Sequence, residues 1–118
     1  MEELEALLER ADKLIELDAW TEFGEFINDL NISDVAELIN DSPDRALLYY
    51  QRLDFQRALA VFRILDRSIQ EKLLTTLPPQ HLVTLVNDLP PDDRTELLSE
   101  LPSHTVKELI RNLNPEER

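Results

Sequence analysis

The sequence predicts an all-α fold, a stack of short helical repeats with a period of about twelve residues and a longer helix leading at the N-terminal end. Three observations predict it. The first is a row of marks at an almost constant stride: Leu30, Ser42, Leu53, Leu65, Leu77, Leu89, Leu101 and Leu113, spaced by twelve, eleven and then five times twelve residues. The second is what precedes each mark by three and four residues: Phe26/Ile27, Leu38/Ile39, Tyr49/Tyr50, Val61/Phe62, Leu73/Leu74, Leu85/Val86, Leu97/Leu98 and Leu109/Ile110. Marks and pairs give 24 positions, of which 23 are apolar, against about 10 expected from the 42% apolar content, so the pattern is not composition alone. The third is the position seven before the mark, apolar in Phe23, Val35, Ala46, Ala58, Leu82 and Val106 and polar only in Gln70 and Arg94. Offsets of three, four and seven lie along one stripe of an α-helix, and one stripe per short unit means that similar helices stack on one another.

The elements follow in order. Residues 1–18 form the leading helix, with Leu4, Leu7, Leu8, Ala11, Leu14 and Ile15 on one face, and Asp18 is placed to cap the helix that begins near Ala19-Trp20. Residues 19–113 carry the repeats. Their joints are clearest at Leu77-Pro78-Pro79, Leu89-Pro90-Pro91 and Leu101-Pro102-Ser103. Proline drives the residue before it out of the α region, ending one helix, and is tolerated in the first turn of the next, where its missing N–H has no partner to lose. Elsewhere the expected caps are Ser33, Ser42 before Pro43, Asp54 and Asp66. Units of eight or nine helical residues are too short to be stable alone and must gain stability by burying their stripes. Residues 114–118, Asn114-Pro115-Glu116-Glu117-Arg118, read as the cap and first turn of a further helix, truncated here, so the natural protein is expected to continue.

Composition narrows the function. A chain of 118 residues is read as one domain. Without cysteine there is no disulfide framework, thiolate metal site or redox switch. No apolar run is long enough to span a bilayer, and the acidic start Met1-Glu2-Glu3 lacks the basic opening of a signal peptide. The net charge of −13 repels phosphate backbones and argues against a nucleic-acid partner. It suits cations or a basic protein surface, or serves only to keep the domain soluble. Charge is uneven: residues 1–52 carry 14 acids and 4 bases, residues 53–76 carry 3 and 4, and residues 77–118 carry 8 and 4. The near-neutral middle, with Arg57, Arg63, Arg67 and Lys72, either docks an acidic surface or pairs with acids of adjacent helices.

No nucleophile–base spacing, glycine-rich phosphate loop or metalloprotease motif is present, and no enzyme is expected. The acids of most interest are Asp92, Asp93 and Glu96, in the first turns after Pro90-Pro91. Asp92 and Glu96 are four apart and share a helix face, whereas acids in a first turn also serve the helix dipole with no ligand at all. Asp88 and Glu100, at equivalent repeat positions, would add charge nearby. His81 and His104, 23 residues apart, lack a third ligand and read as surface histidines. Arg94 reads as an edge position, its stem along the core or its head toward Asp88 or Glu96. Phe55, off the stripe, either packs at a joint or contacts a partner.

The motif L-P-P-x5-L-L/V-x2-L-P-P-x2-R-x2-L-L-x2-L-P, running from Leu77, together with looser units back to Trp20 such as Ile32-Ser33-Asp34-Val35-Ala36-Glu37-Leu38, resembles the cytosolic N-terminal domain of MgtE magnesium transporters. A weaker similarity links these repeats to those of the flagellar motor switch protein, which would make the chain a passive protein–protein adaptor. The MgtE resemblance implies a right-handed superhelix of short helices, followed by paired CBS domains of the same polypeptide and a dimeric membrane channel. It places the domain at the cytoplasmic face of the bacterial inner membrane, with the membrane reached only through a downstream domain. It further implies that Mg2+ held between the N domain and the CBS domains keeps the pore shut, and that Asp92 and Glu96 stand where the family has ion-bridging acids, with Asp93 and Asp88 beside them. Magnesium fits such a site because it takes one or two carboxylates and keeps several waters. One departure is plain: a further acid of the family aligns with Ala60, which cannot bind a cation.

Overall fold

The computed structural model describes residues 2–113. They are helical, with no strand among them. The order is α1 (Glu2–Glu16), α2 (Trp20–Asp29), α3 (Ile32–Asp41), a 3-10 turn (Pro43–Arg45), α4 (Ala46–Gln51), α5 (Phe55–Ile64), α6 (Arg67–Thr76), α7 (Pro79–Asp88), α8 (Pro91–Glu100) and α9 (Ser103–Leu113). The repeat helices are mostly ten residues long, one or two longer than the spacing predicts. The further helix expected from Asn114 lies outside the described residues.

The marker leucines act as stops. Leu30, Leu65, Leu89 and Leu101 all leave their helices in the extended conformation, with ψ between 139° and 155°. Only Leu89 and Leu101 precede proline, so proline is not what makes the exit. Leu65, Leu77, Leu89 and Leu101 are buried and Leu30 is half-buried, so the exit turns a leucine toward the core in units with and without proline. Where proline is present it fills the expected role: Pro79 and Pro91 occupy the first turns of α7 and α8.

The helices form two compact units, one ending at Asp66 and one beginning at Arg67. In the first, α1 packs on α2 and α3, and α3 packs on α4 and α5. Its core is aromatic: Phe23 meets Trp20 edge-on at 6.0 Å and Tyr49 at 5.5 Å, and Tyr50 meets Phe62 at 6.3 Å. Such contacts stabilise beyond the area they bury. The Arg52 guanidinium covers the Trp20 ring at 4.7 Å. The Tyr49 hydroxyl is buried without a hydrogen-bond partner. In the second unit α9 packs on α6 and α7 around aliphatic side chains, chiefly Leu73, Leu74, Leu82, Leu85, Leu97 and Leu109.

The break in the stride falls in the first unit. Between Ser42 and Leu53 the chain makes a 3-10 turn and only six α-helical residues. Pro43 opens that turn, and the Ser42 backbone N–H closes α3 on the Leu38 and Ile39 carbonyls. A polar, half-buried Ser42 in place of a leucine is therefore the sign of a shortened unit.

Several expected caps are corrected. Asp18 does not start α2. It has φ of 55° and ends α1, with its N–H on the Ile15 carbonyl and that of Ala19 on the Leu14 carbonyl, the bond pattern of a left-handed helix stop that aspartate tolerates. Ser33 is the second residue of α3, and Asn31 is the cap, accepting from the Asp34 N–H at 3.1 Å. Asp54 stands at the start of α5, but its side chain makes no capping bond. Instead the Asn28 carboxamide accepts the Asp54 N–H at 2.8 Å and donates to the Arg52 carbonyl at 3.0 Å. Asn40, twelve residues on, accepts the Asp66 N–H at 3.1 Å. The last turns of α2 and α3 thus hold the backbone N–H groups of Asp54 and Asp66, 26 residues further along the chain.

Candidate cation site on helix α8

α8 begins Pro91-Asp92-Asp93-Arg94-Thr95-Glu96 because proline opens a helix without losing a bond and acids in its first turn oppose the helix dipole. Leu97 is buried and Leu98 half-buried, which fixes the rotation of the helix and turns Asp92 and Glu96 outward. Both are exposed, one turn apart, and Asp93 is half-buried between them. Asp88, the last residue of α7, is exposed.

Glu96 and Glu100 share one partner. Arg67, the first residue of α6, places its Nη2 3.4 Å from Glu96 Oε1 and its Nε 2.9 Å from Glu100 Oε1. Arg67 Nη1 donates to Gln70 Oε1 at 2.8 Å. Gln70 is only 6% exposed, although it occupies a stripe position that is apolar in most units. Its hydrogen bond is what makes burial of the amide tolerable. Arg94 is half-exposed and pairs with neither Asp88 nor Glu96, leaving the edge reading of that residue.

Asp88, Asp92, Asp93 and Glu96 do not converge on a closed centre: among the described residues no group of three or more histidines, cysteines or acids is placed to hold a metal ion. What α8 offers is two hard-oxygen ligands one turn apart, open to solvent. That is about the protein share of a magnesium site, which retains its own waters, and it suits a site completed by another surface. Ala60 is half-buried in α5 and adds no ligand. His81 and His104 are exposed on α7 and α9. Phe55 is 53% exposed at the start of α5.

Arg57 and Arg67, two of the four basic residues of the middle segment, have local partners. Arg57 donates to the Ile27 carbonyl at 3.3 Å and to the Leu30 carbonyl, closing the end of α2, while Arg67 serves α8. A crevice of about 70 Å³ between α1 and α3 is lined by Glu3, Leu4, Leu7, Asp34 and Glu37 and by none of the α8 acids. No described helix is long and apolar enough to cross a membrane. Thr105, buried to 2% exposure, escaped the sequence pattern; its hydroxyl donates to Glu71 Oε2 at 3.1 Å.

No curated protein matches the chain. A family model described as the MgtE intracellular N domain matches residues 30–118. The match begins at Leu30, the first of the marks, and takes in α3 to α9. It makes the repeat region a cytosolic domain of the magnesium-transporter type, and the chain belongs to the MgtE intracellular N domain family.

Proposed function

We propose that this chain is the regulatory domain of a magnesium transporter, sensing intracellular Mg2+ by docking in a Mg2+-dependent way on CBS domains of the same polypeptide and so gating the pore. The transporter would be a homodimer at the cytoplasmic face of the bacterial inner membrane, with the membrane met only by other parts of the protein. Family membership supports the reading, and the observation that carries it to residues is the exposed Asp92/Glu96 pair on α8. These carboxylates would hold the ion, with Asp93 and Asp88 adding negative potential, and CBS groups would supply the remaining ligands. The ion would supply positive charge between the α8 carboxylates and the ligands of the facing surface. Acids held open to solvent bind such an ion weakly, as a sensor of abundant magnesium requires.

The test is protection of the domain from protease in the full-length transporter as magnesium is raised from micromolar to millimolar. Protection that grows with magnesium and is lost in Asp92→Ala/Glu96→Ala supports the clamp. Protection indifferent to magnesium favours the second reading, a helical-repeat adaptor, for which the lack of a closed ligand group among the described residues is the specific support.

A further inference from the structure

We propose that Arg67 is the built-in competitor of the α8 cation site: its guanidinium occupies Glu96 in the ion-free form and thereby lowers the affinity of that edge for a divalent cation. The proposal rests on the reading of Asp92 and Glu96 as cation ligands.

The observations are local and unusual. Arg67 is the first residue of α6, where a cation opposes the helix dipole. Gln70 lies on the buried stripe, where Phe23, Val35, Ala46, Ala58 and Leu82 occupy the equivalent places. Two rules of helix construction are thus broken within four residues, and the two exceptions bond to each other at 2.8 Å. Rule-breaking of this kind marks a position held for something besides stability. Gln70, fixed by burial, orients the planar fork. Nε then reaches Glu100 at 2.9 Å and Nη2 reaches Glu96 at 3.4 Å, so three edges of the guanidinium are committed in one geometry. Gln70 spends no charge in doing so, leaving the arginine charge for the α8 acids.

A divalent ion approaching Glu96 meets that charge already in place. It must either displace Nη2 or bind beside it against like-charge repulsion. Because the Arg67–Glu96 contact is long and Glu96 is 68% exposed, the contact is a weak one and yields to the ion. Arg67 therefore positions and competes and does not ligate. It sets the concentration at which the edge loads, and Glu100 keeps the arginine in place once Glu96 is released.

The experiment is a Mn2+ titration of the 118-residue chain followed by amide NMR, with paramagnetic broadening read at residues 92–100. Mn2+ is the probe because it shares magnesium's preference for carboxylate oxygen. Wild type is compared with Arg67→Gln, Gln70→Leu, Arg94→Gln and Glu96→Gln. The expected result is half-broadening at about two- to fivefold lower Mn2+ in Arg67→Gln, the range an exposed ion pair commands. Gln70→Leu, which frees the fork and restores an apolar stripe, shifts the midpoint the same way by less. Should Arg67→Gln fail to fold, Gln70→Leu alone decides. Arg94→Gln removes equal charge from α8 itself without breaking a contact to Glu96. An equal shift in Arg94→Gln and Arg67→Gln would reduce the effect to net charge and overturn the proposal. Broadening lost in Glu96→Gln yet unmoved in Arg67→Gln and Gln70→Leu would overturn it while leaving the cation reading intact. Absence of broadening on α8 in every variant would overturn the proposal for this chain and leave the shared-ion reading to be decided by its Mg2+-dependent binding to CBS domains.

Discussion

The two units solve the same problem, a stack of helices too short to stand alone, with different side chains. All seven aromatic residues, Trp20, Phe23, Phe26, Tyr49, Tyr50, Phe55 and Phe62, fall before Asp66. The unit that begins at Arg67 is aliphatic, with Leu-Pro-Pro joints and an unbroken twelve-residue stride. The first unit contains the shortened α4, whose six residues offer little stripe to bury. It compensates with ring-on-ring packing and with asparagines that reach 26 residues along the chain inside the unit. The second needs neither, since each helix repeats the last. Irregularity demands larger and more specific side chains; regularity frees the outer face, and it is there that α8 presents its acids.

The comparison breaks first at the aromatic core. Phe23→Ala or Phe62→Ala should cost about 3–5 kcal/mol in urea unfolding, because a fully buried ring leaves a cavity that the short α4 cannot collapse to fill. A loss below about 1 kcal/mol would show that the rings are incidental.

Next come the long-range asparagines of the first unit. Asn28→Ala removes an acceptor for Asp54 and a donor to Arg52 and Gly24, and should cost about 1–2 kcal/mol. Asn40→Ala breaks the single bond to Asp66 and should cost about half as much. Asn87, at the same repeat position in the second unit, is exposed, and its replacement should change stability by less than about 0.5 kcal/mol. Equal losses at all three would erase the distinction between the units.

Titration separates them as well. Burial raises the Tyr50 phenol above its ordinary value of 10.0, and burial followed by the nearby Asp12 carboxylate raises that of Tyr49. A raised folded value means that the unfolded chain loses its proton first. The stability these two neutral phenols contribute is whole below pH 10 and is lost as the pH climbs from 10 toward the raised folded values. Urea midpoints should therefore fall above about pH 10, and Tyr50→Phe should flatten the fall. The unit that begins at Arg67 has no tyrosine and contributes nothing to it.

The smallest effect is at Gln70. Gln70→Leu exchanges a hydrogen-bonded amide for the apolar residue that the stripe favours, and should change stability by no more than about 1 kcal/mol in either direction. A large loss would mean that Gln70 is structural, and that Arg67 needs no functional account.

Much of this was legible in the sequence, and the reasons for the rest are specific. The leucine stride located nearly every helix, and the paired positions before each mark are mostly buried; Ile110, at 50% exposure, is the clear exception. Hydrophobic periodicity records burial directly, so it survives translation into structure. Caps fared worse. Asp18, Ser33 and Asp54 are good capping residues by type, but Asp18 ends a helix, Asn31 caps α3 in place of Ser33, and the Asp54 side chain makes no capping bond while distant asparagines hold the Asp54 and Asp66 backbone N–H groups. Sequence spacing cannot see a partner 26 residues off, although the Asn-Asp pair at 28–29, 40–41 and 87–88 was itself a repeat to be noticed. At the candidate site the acids were legible as a helix-face pair. The Arg67 contact was not, since it joins α6 to α8 through a fold that only the packing of the second unit defines.

The account turns on Asp92 and Glu96 as ligands for a shared magnesium ion. The most direct test is the affinity of this chain for the CBS domains proposed as its partner, measured by calorimetry with and without millimolar Mg2+, for wild type and for Asp92→Ala/Glu96→Ala. The account predicts binding that requires magnesium in the wild type and is lost in the double variant, whose unfolding free energy stays within about 0.5 kcal/mol of wild type. Binding of equal strength with and without magnesium, unchanged by the double substitution, would contradict it.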